Sequence, residues 1–373
     1  MRFSVHKSDI LDVLSKVQGL TGRKSSLAIT ETVLIKTVDS GITLMATDLE
    51  SGFEGTYPAE IETQGVIAIN ARKFYEIVRD YPNDNLILKE VDNRWIEIGD
   101  EKVFYHIVGM NPDDFPDAPE IEEIAFFEMD SRTLKKMIEK ALMIGGGSSD
   151  DKRAHIIGVS FERKITGDEK KIRMVSTDGS RLAMVDCRFD AGFELPEGPS
   201  ILIPKKALNE VNKFLEPIGD VKIGIKDNNL VIKKDAETII VRLLEGDFPQ
   251  YSEIIEKEDG HIIALEKGKF LMTLKRMSIL SSEDYKAAIF DFSKKKLSIS
   301  AANPELGESK EDMDIDFEGD NMKIAFNPRF FIDTLNVIDG GTVILFLSGE
   351  DRPCLVFDRD DDSFLSAIMP MRV

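Results

Sequence analysis

Cysteine is nearly absent. Cys187 and Cys354 are the only two in the chain, and both sit in apolar, strand-like contexts. A disulfide framework is excluded, and the reading is two buried, reduced thiols in a cytoplasmic protein. With only four scattered histidines and no paired cysteines, a structural zinc site is excluded as well. No apolar run approaches the roughly 18 residues that span a bilayer. The opening Met1-Arg-Phe-Ser-Val-His-Lys has no apolar core of the kind a signal peptide carries. The single glycine run, Gly145-Gly-Gly-Ser-Ser-Asp-Asp151, lacks the lysine of a phosphate loop and reads as a flexible loop after a helix. Thr177-Asp178-Gly179-Ser180-Arg181 has no histidine near it in sequence, and because the same turn recurs in each third of the chain it reads as a structural turn ahead of a catalytic triad. No catalytic set, metal site or cofactor motif is expected.

What is present is repetition. A short cassette occurs three times: Val66-Ile-Ala-Ile-Asn70-Ala-Arg-Lys-Phe, Ile201-Leu-Ile-Pro204-Lys-Lys-Ala-Leu, and Ile324-Ala-Phe-Asn327-Pro-Arg-Phe-Phe. Each is a few strand residues, a helix-starting residue, one or two basic residues and an amphipathic helix. Asn70 and Asn327 suit the N-cap position, and Pro204 and Pro328 suit a helix start. Strand-like runs come after each copy. The copies stand 134 and 123 residues apart, which is one domain per copy. Three domains are expected, at residues 1–120, 121–250 and 251–373.

The front half of each third repeats too: a strand, then a helix near residues 7–19, 131–142 and 267–281. A turn then recurs, centred on Asp48, Asp178 and Asn303. The expected class is α+β, with helices segregated on one side of antiparallel sheets. The acidic run from Asp358 to Asp362, broken by Arg359, reads as a solvated hairpin turn.

Net charge is −20, yet it is unevenly spread. The six helical segments hold 17 lysines and arginines against eight acidic residues, a net +9, leaving −29 elsewhere. Arg72 and Arg79, Lys206 and Lys213, and Lys269 and Arg276 are each seven apart and share a helix face. Arg132, Lys135, Lys136 and Lys140 lie opposite the apolar stripe of Leu134, Met137, Ile138 and Ala141. A basic face without aromatic stacking residues suits phosphate contact, not base reading. On these residues alone a repeat-built protein-interaction scaffold stays open beside a DNA-facing role; salt-sensitive DNA association separates the two. A hydrolase would need a nucleophile and base that the sequence does not offer.

Across its whole length the chain closely resembles the bacterial sliding clamps, the beta subunits of DNA polymerase III. The resemblance rests on Met1-Arg-Phe-Ser-Val, Ala46-Thr-Asp-Leu-Glu, Asn70-Ala-Arg-Lys-Phe, Asp114-Phe-Pro, Ser176-Thr-Asp-Gly-Ser-Arg-Leu-Ala, Gly246-Asp-Phe-Pro-Gln-Tyr, Ala301-Ala-Asn-Pro-Glu and Met369-Pro-Met-Arg, in that order. It implies three domains of the DNA-clamp fold, each with two helices on antiparallel sheets, and a head-to-tail homodimeric ring lined by helices. It implies a non-catalytic processivity factor that encircles duplex DNA without sequence preference. Implied partners are the alpha-type replicative polymerase subunit, a clamp loader, and other polymerases and repair proteins that bind through short apolar peptides.

Carried over residue by residue, the resemblance places a partner-peptide pocket at Ile156, Thr177, Gly179, Ser180, Arg181, Leu182, Pro249, Ile254, Pro353, Ile368, Met369, Pro370, Met371 and Arg372. For DNA it adds Arg23, Lys24, Ser149 and Arg153 to the helix cations Arg72, Lys73, Arg79, Arg132, Lys136, Lys206 and Lys213. For ring closure it points to Lys73, Tyr105 and Ile107 in the first domain and Ile279 and Leu280 in the third. Glu253 stands where relatives can carry a basic residue, Ser180 where they can carry histidine, and Ala154-His155 where some carry aromatics.

Overall fold

The computed structural model describes residues 1–373 except 22–26, 118–122, 146–152, 190–199, 258, 283–285 and 373. Seven α-helices are present among the described residues: α1 (Lys7–Val17), α2 (Ala71–Asp80), α3 (Ser131–Leu142), α4 (Ala154–Ile157), α5 (Lys205–Phe214), α6 (Lys267–Met277) and α7 (Pro328–Val337). Six are those expected from the sequence, and the one-turn α4 is additional. The apolar stripes are buried: Ile10, Val13, Leu14 and Val17 on α1, and on α3 the expected Leu134, Met137, Ile138 and Ala141. On α6 the buried set is Phe270, Thr273, Leu274 and Met277. Asn70 caps α2 by accepting from the Lys73 N–H at 3.0 Å, and Asn327 caps α7 by accepting from the Arg329 N–H at 3.0 Å. Pro328 opens α7, whereas Pro204 ends the strand before α5.

The chain folds into two compact units. One comprises chiefly Met1–Lys135 and Lys206–Leu243; the other comprises chiefly Lys136–Gly192 and Leu244–Val373. In the first unit an eight-stranded antiparallel sheet runs Phe126–Asp130, Asp220–Lys226, Asn229–Lys234, Glu237–Arg242, Ser51–Tyr57, Gly41–Thr47, Thr32–Val38, Val66–Asn70. The second unit's eight-stranded sheet runs Ile201–Pro204, Gly158–Thr166, Glu169–Thr177, Arg181–Arg188, Phe364–Ile368, Cys354–Asp358, Thr342–Leu347, His261–Glu266. Each sheet therefore joins strands of two consecutive sequence repeats. The seams are Ser51–Tyr57 against Glu237–Arg242, and Arg181–Arg188 against Phe364–Ile368.

Each unit has a second, smaller sheet. The first unit's is five-stranded and ends on Phe104–Val108; the second unit's is four-stranded and ends on Gly307–Asp314. The phenylalanines Phe270, Phe290, Phe326 and Phe331 pack edge-on and stacked in the core beside that four-stranded sheet.

The recurring turn has the same internal bonds in its first two copies. Thr47 Oγ1 donates to the Ser51 carbonyl (2.9 Å) and accepts from the Leu49 N–H (3.0 Å), while Asp48 Oδ1 accepts from the N–H groups of Glu50 and Ser51. Thr177 Oγ1 donates to the Arg181 carbonyl (2.7 Å) and accepts from the Gly179 N–H (3.0 Å), while Asp178 Oδ1 accepts from those of Ser180 and Arg181. The third copy keeps less: Asn303 Oδ1 accepts from the Glu305 N–H. The structural reading of Thr177–Arg181 as a turn thus rests on its own bonds.

Two expectations are corrected. Cys354 is buried, and burial pushes its thiol pKa up, but Cys187 is only half-buried. The acidic run does make the hairpin turn, yet it is not simply solvated. Asp358 is buried and accepts from the Gly340 N–H at 2.8 Å, and Asp361 pairs with Lys140 at 3.4 Å. Of the glycine run only Gly145 lies inside the described residues.

Candidate functional site

Strand pairing in the second unit aligns Thr177 with Leu182, Leu182 with Ala367, and Arg181 with Ile368 and then Cys354. The Met369 N–H donates to the Ser180 carbonyl at 3.0 Å, so the tail leaves the sheet beside the turn. One end of this sheet therefore gathers Thr177, Gly179, Ser180, Arg181, Leu182, Ile368 and Met369. Gly179 has φ +86°, a left-handed conformation that glycine takes without a Cβ penalty.

Alternation along the strands divides these residues between two faces. On one face Val175, Leu182, Met184, Leu355, Leu365 and Ala367 form a buried cluster with Tyr251, and Phe248, Ile254 and Ile255 pack against it. The segment after Gly246 thus covers this face. Ile254 and Pro353 line a hollow of about 230 Å³ there, together with Glu253, Ser348 and Arg352. Beneath the cluster the Tyr251 hydroxyl donates to buried Glu162 at 3.0 Å, and Lys164 pairs with the same carboxylate at 2.6 Å. Burial, foremost, raises the Tyr251 pKa.

On the other face the sheet meets helices. Ser176 Oγ donates to the Ala141 carbonyl at 2.6 Å, and Thr334 Oγ1 bonds Ser366 Oγ at 3.0 Å. Arg181 is buried on this side, paired with Asp178 (3.0 Å) and Asp333 (2.6 Å), with its guanidinium 4.4 Å from the centre of the Phe330 ring. Lys205, also buried, donates to the carbonyls of Thr177 (3.2 Å) and Gly145 (3.1 Å). Burial pushes its pKa down to about 8, with Asp178 opposing the shift.

The other expected pocket residues are spread out. Pro249 is exposed in the connecting loop, and Ile156 is buried on α4. Met371 and Arg372 line a different cleft of about 720 Å³ with Lys286, Ser309 and Lys310, and the Met371 N–H donates to the Ala325 carbonyl. Pro370 is half-buried between them.

The helix cations expected to face DNA already have partners. On α2, Arg72 and Lys73 both pair with Glu76, at 3.2 and 2.8 Å, and Arg79 pairs with Asp80 at 3.0 Å. Lys73 foremost holds the Glu76 carboxyl below its ordinary pKa. Lys136 pairs with Asp339, Lys206 with Asp48 and Lys213 with Glu210. Arg132 donates to the Pro217 carbonyl. Two of the four cations on the polar side of α3 are not surface charges: Lys140 is buried on Asp361 and half-buried Lys135 reaches the Asn212 and Leu215 carbonyls. Their stems are long enough to fold inward past the helix edge, which helical spacing alone does not reveal. Arg153 is exposed; Arg23, Lys24 and Ser149 lie outside the described residues.

At the outer edges, Tyr105 and Ile107 are half-buried, and their strand shows Phe104 (65% exposed) and Val108 (59%) instead. Ile279 is 72% exposed at the end of α6, with Leu280 half-buried and Leu306 exposed. Phe104, Val108 and Leu306 are not among the positions expected from the sequence; for the first two, period-2 alternation along 104–108 was the available signal.

Models of three consecutive parts of one family match nearly the whole chain. They are the DNA polymerase III beta subunit N-terminal domain over residues 1–119, the central domain over 128–250 and the C-terminal domain over 252–372. The chain belongs to the DNA polymerase III beta subunit family. The beta sliding clamps of Chlamydia pneumoniae and Vibrio cholerae are each 27% identical to it over 375 residues, covering all of this chain and 99% and 100% of theirs. Among solved structures, a putative DNA polymerase III beta subunit from Eubacterium rectale matches at TM-score 0.91 and 28% identity. A sliding clamp from Bartonella birtlesii, bound to griselimycin, matches at 0.93 and 26%; both cover each chain in full. As a DNA polymerase III beta subunit the chain is a sliding clamp with three clamp domains, a processivity factor and not itself a catalyst. Among the described residues no helix is long and apolar enough to cross a membrane.

Proposed function

We propose that two copies of this chain close head to tail into a ring around duplex DNA and tether the replicative polymerase there for processive synthesis. The observation that carries this reading is the pair of open edges. Phe104–Val108 ends a five-stranded sheet and Gly307–Asp314 a four-stranded one, whereas the other two sheets reach eight strands. An unpaired edge is a template for another chain; Phe104 and Val108 are exposed on the first edge, and Leu306 is exposed just before the second. Pairing the first edge of one copy with the second edge of its partner is a heterologous contact that closes after two subunits. Lys73, Tyr105 and Ile107 would meet Ile279 and Leu280 there, with Phe104, Val108 and Leu306 adding apolar area.

Arg23, Lys24, Arg72, Lys73, Arg79, Arg132, Lys136, Ser149, Arg153, Lys206 and Lys213 would face the phosphates. Since many of these cations hold a carboxylate, direct affinity for DNA is weak and topology does the holding. The end of the second sheet, with the 230 Å³ hollow at Ile254 and Pro353 and the tail Met369 to Arg372, would receive short apolar peptides of polymerases, the clamp loader and repair proteins. Domain limits at 1–120, 121–250 and 251–373 and a cytoplasmic location belong to the same reading.

The test is retention. Placed by a clamp loader on nicked circular DNA, the protein stays bound at salt that abolishes its direct DNA binding, and linearising the circle releases it. Equal retention on circles and on linear DNA with free ends overturns encirclement. No retention on either, with a competent loader, favours a scaffold that never meets DNA.

A further inference from the structure

The two seams are repeat equivalents, and only the second is covered. In the second unit the rows crossing the seam read Val175, Met184, Leu365 and then Thr177, Leu182, Ala367, and the segment from Phe248 to Ile255 lies on them. The matching rows of the first unit read Met45, Glu54, Thr238 and then Thr47, Gly52, Ile240. A glycine and a glutamate stand where the second seam has leucine and methionine. The matching connection packs Phe115 with Ile29 and Ala68, with Met45 against that cluster, so that Phe115, Pro116 and Asp117 wall one side of the seam and do not fill it. The result is an open cleft of about 510 Å³ over Met45, Gly52, Val231 and Ile240. A Cβ at Gly52 would meet nothing within 4 Å. At the rim Leu49 is 50% exposed and held at φ +76°, where its counterpart is Gly179.

The rim is predominantly acidic. Glu50, Glu54, Asp117 and Asp227 are exposed and carry no ion pair among the described residues, against the cations Arg242 and Lys233, and Lys233 already lies 5.0 Å from the Phe126 ring centre. We propose that this cleft is a second docking site, for an extended peptide that seats one apolar side chain over Gly52 and Ile240 and sets a flanking basic residue against Glu54. Half-buried apolar floor supplies the anchor contact, and unpaired carboxylates supply the choice of charge.

The site is separate from the tail-side groove, and its test is local, so it and the retention assay succeed or fail independently. Methyl NMR signals of Met45 and Ile240 are followed in the full-length protein during titration with the capped tripeptides Arg-Leu-Arg and Glu-Leu-Glu. The expected result is saturable movement with Arg-Leu-Arg and at least about tenfold weaker response to Glu-Leu-Glu. Gly52→Phe, which fills the cleft, abolishes the movement; Glu54→Lys, on an exposed position, reverses the peptide preference. Equal response to both peptides, or an unchanged response in either variant, overturns the proposal. Movement of the same signals on raising protein concentration alone would assign the cleft to a second copy of the chain and also overturn it.

Discussion

At the first seam Thr47, Asp48 and Leu49 turn the chain; at the second, Thr177, Asp178 and Gly179 do so with the same set of hydrogen bonds. Beyond the turn the two seams diverge. Position five is Ser51 in one and Arg181 in the other, and the helix of the matching cassette begins with Ala71 in one and Lys205 in the other. Ser51 and Ala71 are small and buried, and at their seam it is Lys206 of α5 that pairs with Asp48 of the turn. Arg181 and Lys205 reach across and tie turn, sheet and helix together. A common backbone frame thus sets where a seam lies; different cations tie its helix side, and Leu182 and Met184 in place of Gly52 and Glu54 fill its other face.

The largest break in this comparison is Arg181→Ala. It leaves Asp178 and Asp333 without their partner and removes the contact with Phe330. Asp333 is partly solvated, which moderates the loss; the cost is about 3 kcal/mol in urea unfolding. Ser51→Ala changes stability by under about 0.5 kcal/mol. Similar losses for both would mean the frame, not the arginine, locks the second seam.

A smaller effect belongs to Lys205. Its folded pKa of about 8 lies below the ordinary 10.5, so between these values the folded chain binds fewer protons than the unfolded one. Stability due to this group therefore rises from pH 8 to about 10.5 and is lost as pH falls through that window to 8. The wild-type protein gains about 2 kcal/mol over Lys205→Met across that window. Parallel pH profiles for the two proteins would remove Lys205 from the account.

The smallest effect sharpens the first seam. Leu49→Gly relieves a left-handed leucine and gives up only half-exposed apolar contact, so it stabilises by about 0.5–1 kcal/mol. A lower thermal midpoint in the variant would show that Leu49 packs more than it strains.

Much of this architecture was legible in the chain because its signals are local. The helix caps Asn70 and Asn327, the buried stripes of α1 and α3, and the Asp48 and Asp178 turns each depend on residues within a few positions. The illegible part depends on pairing across long separations. Lys140 reads as a surface cation until Asp361 is brought beside it, and Arg181 as a groove residue until Asp333 is. Nothing near Gly52 in sequence shows that Ile240 stands opposite it. The resemblance names the candidate peptide groove as a set of positions, and their division between two sheet faces comes only from the register of Arg181 and Leu182 with Ile368 and Ala367.

The sharing of each large sheet between neighbouring repeats has a consequence for how the molecule comes apart. The middle repeat gives Phe126–Asp130 and Asp220–Arg242 to one unit and Gly158–Arg188 to the other. Cut out at its sequence limits, it would bear two raw edges, at Glu237–Arg242 and Arg181–Arg188, each having lost its neighbour. Amide exchange should therefore group residues by sheet and not by repeat: Ser51–Tyr57 opens with Glu237–Arg242, and Arg181–Arg188 with Phe364–Ile368. The unit that is copied along the chain and the unit that melts are different pieces of the same molecule.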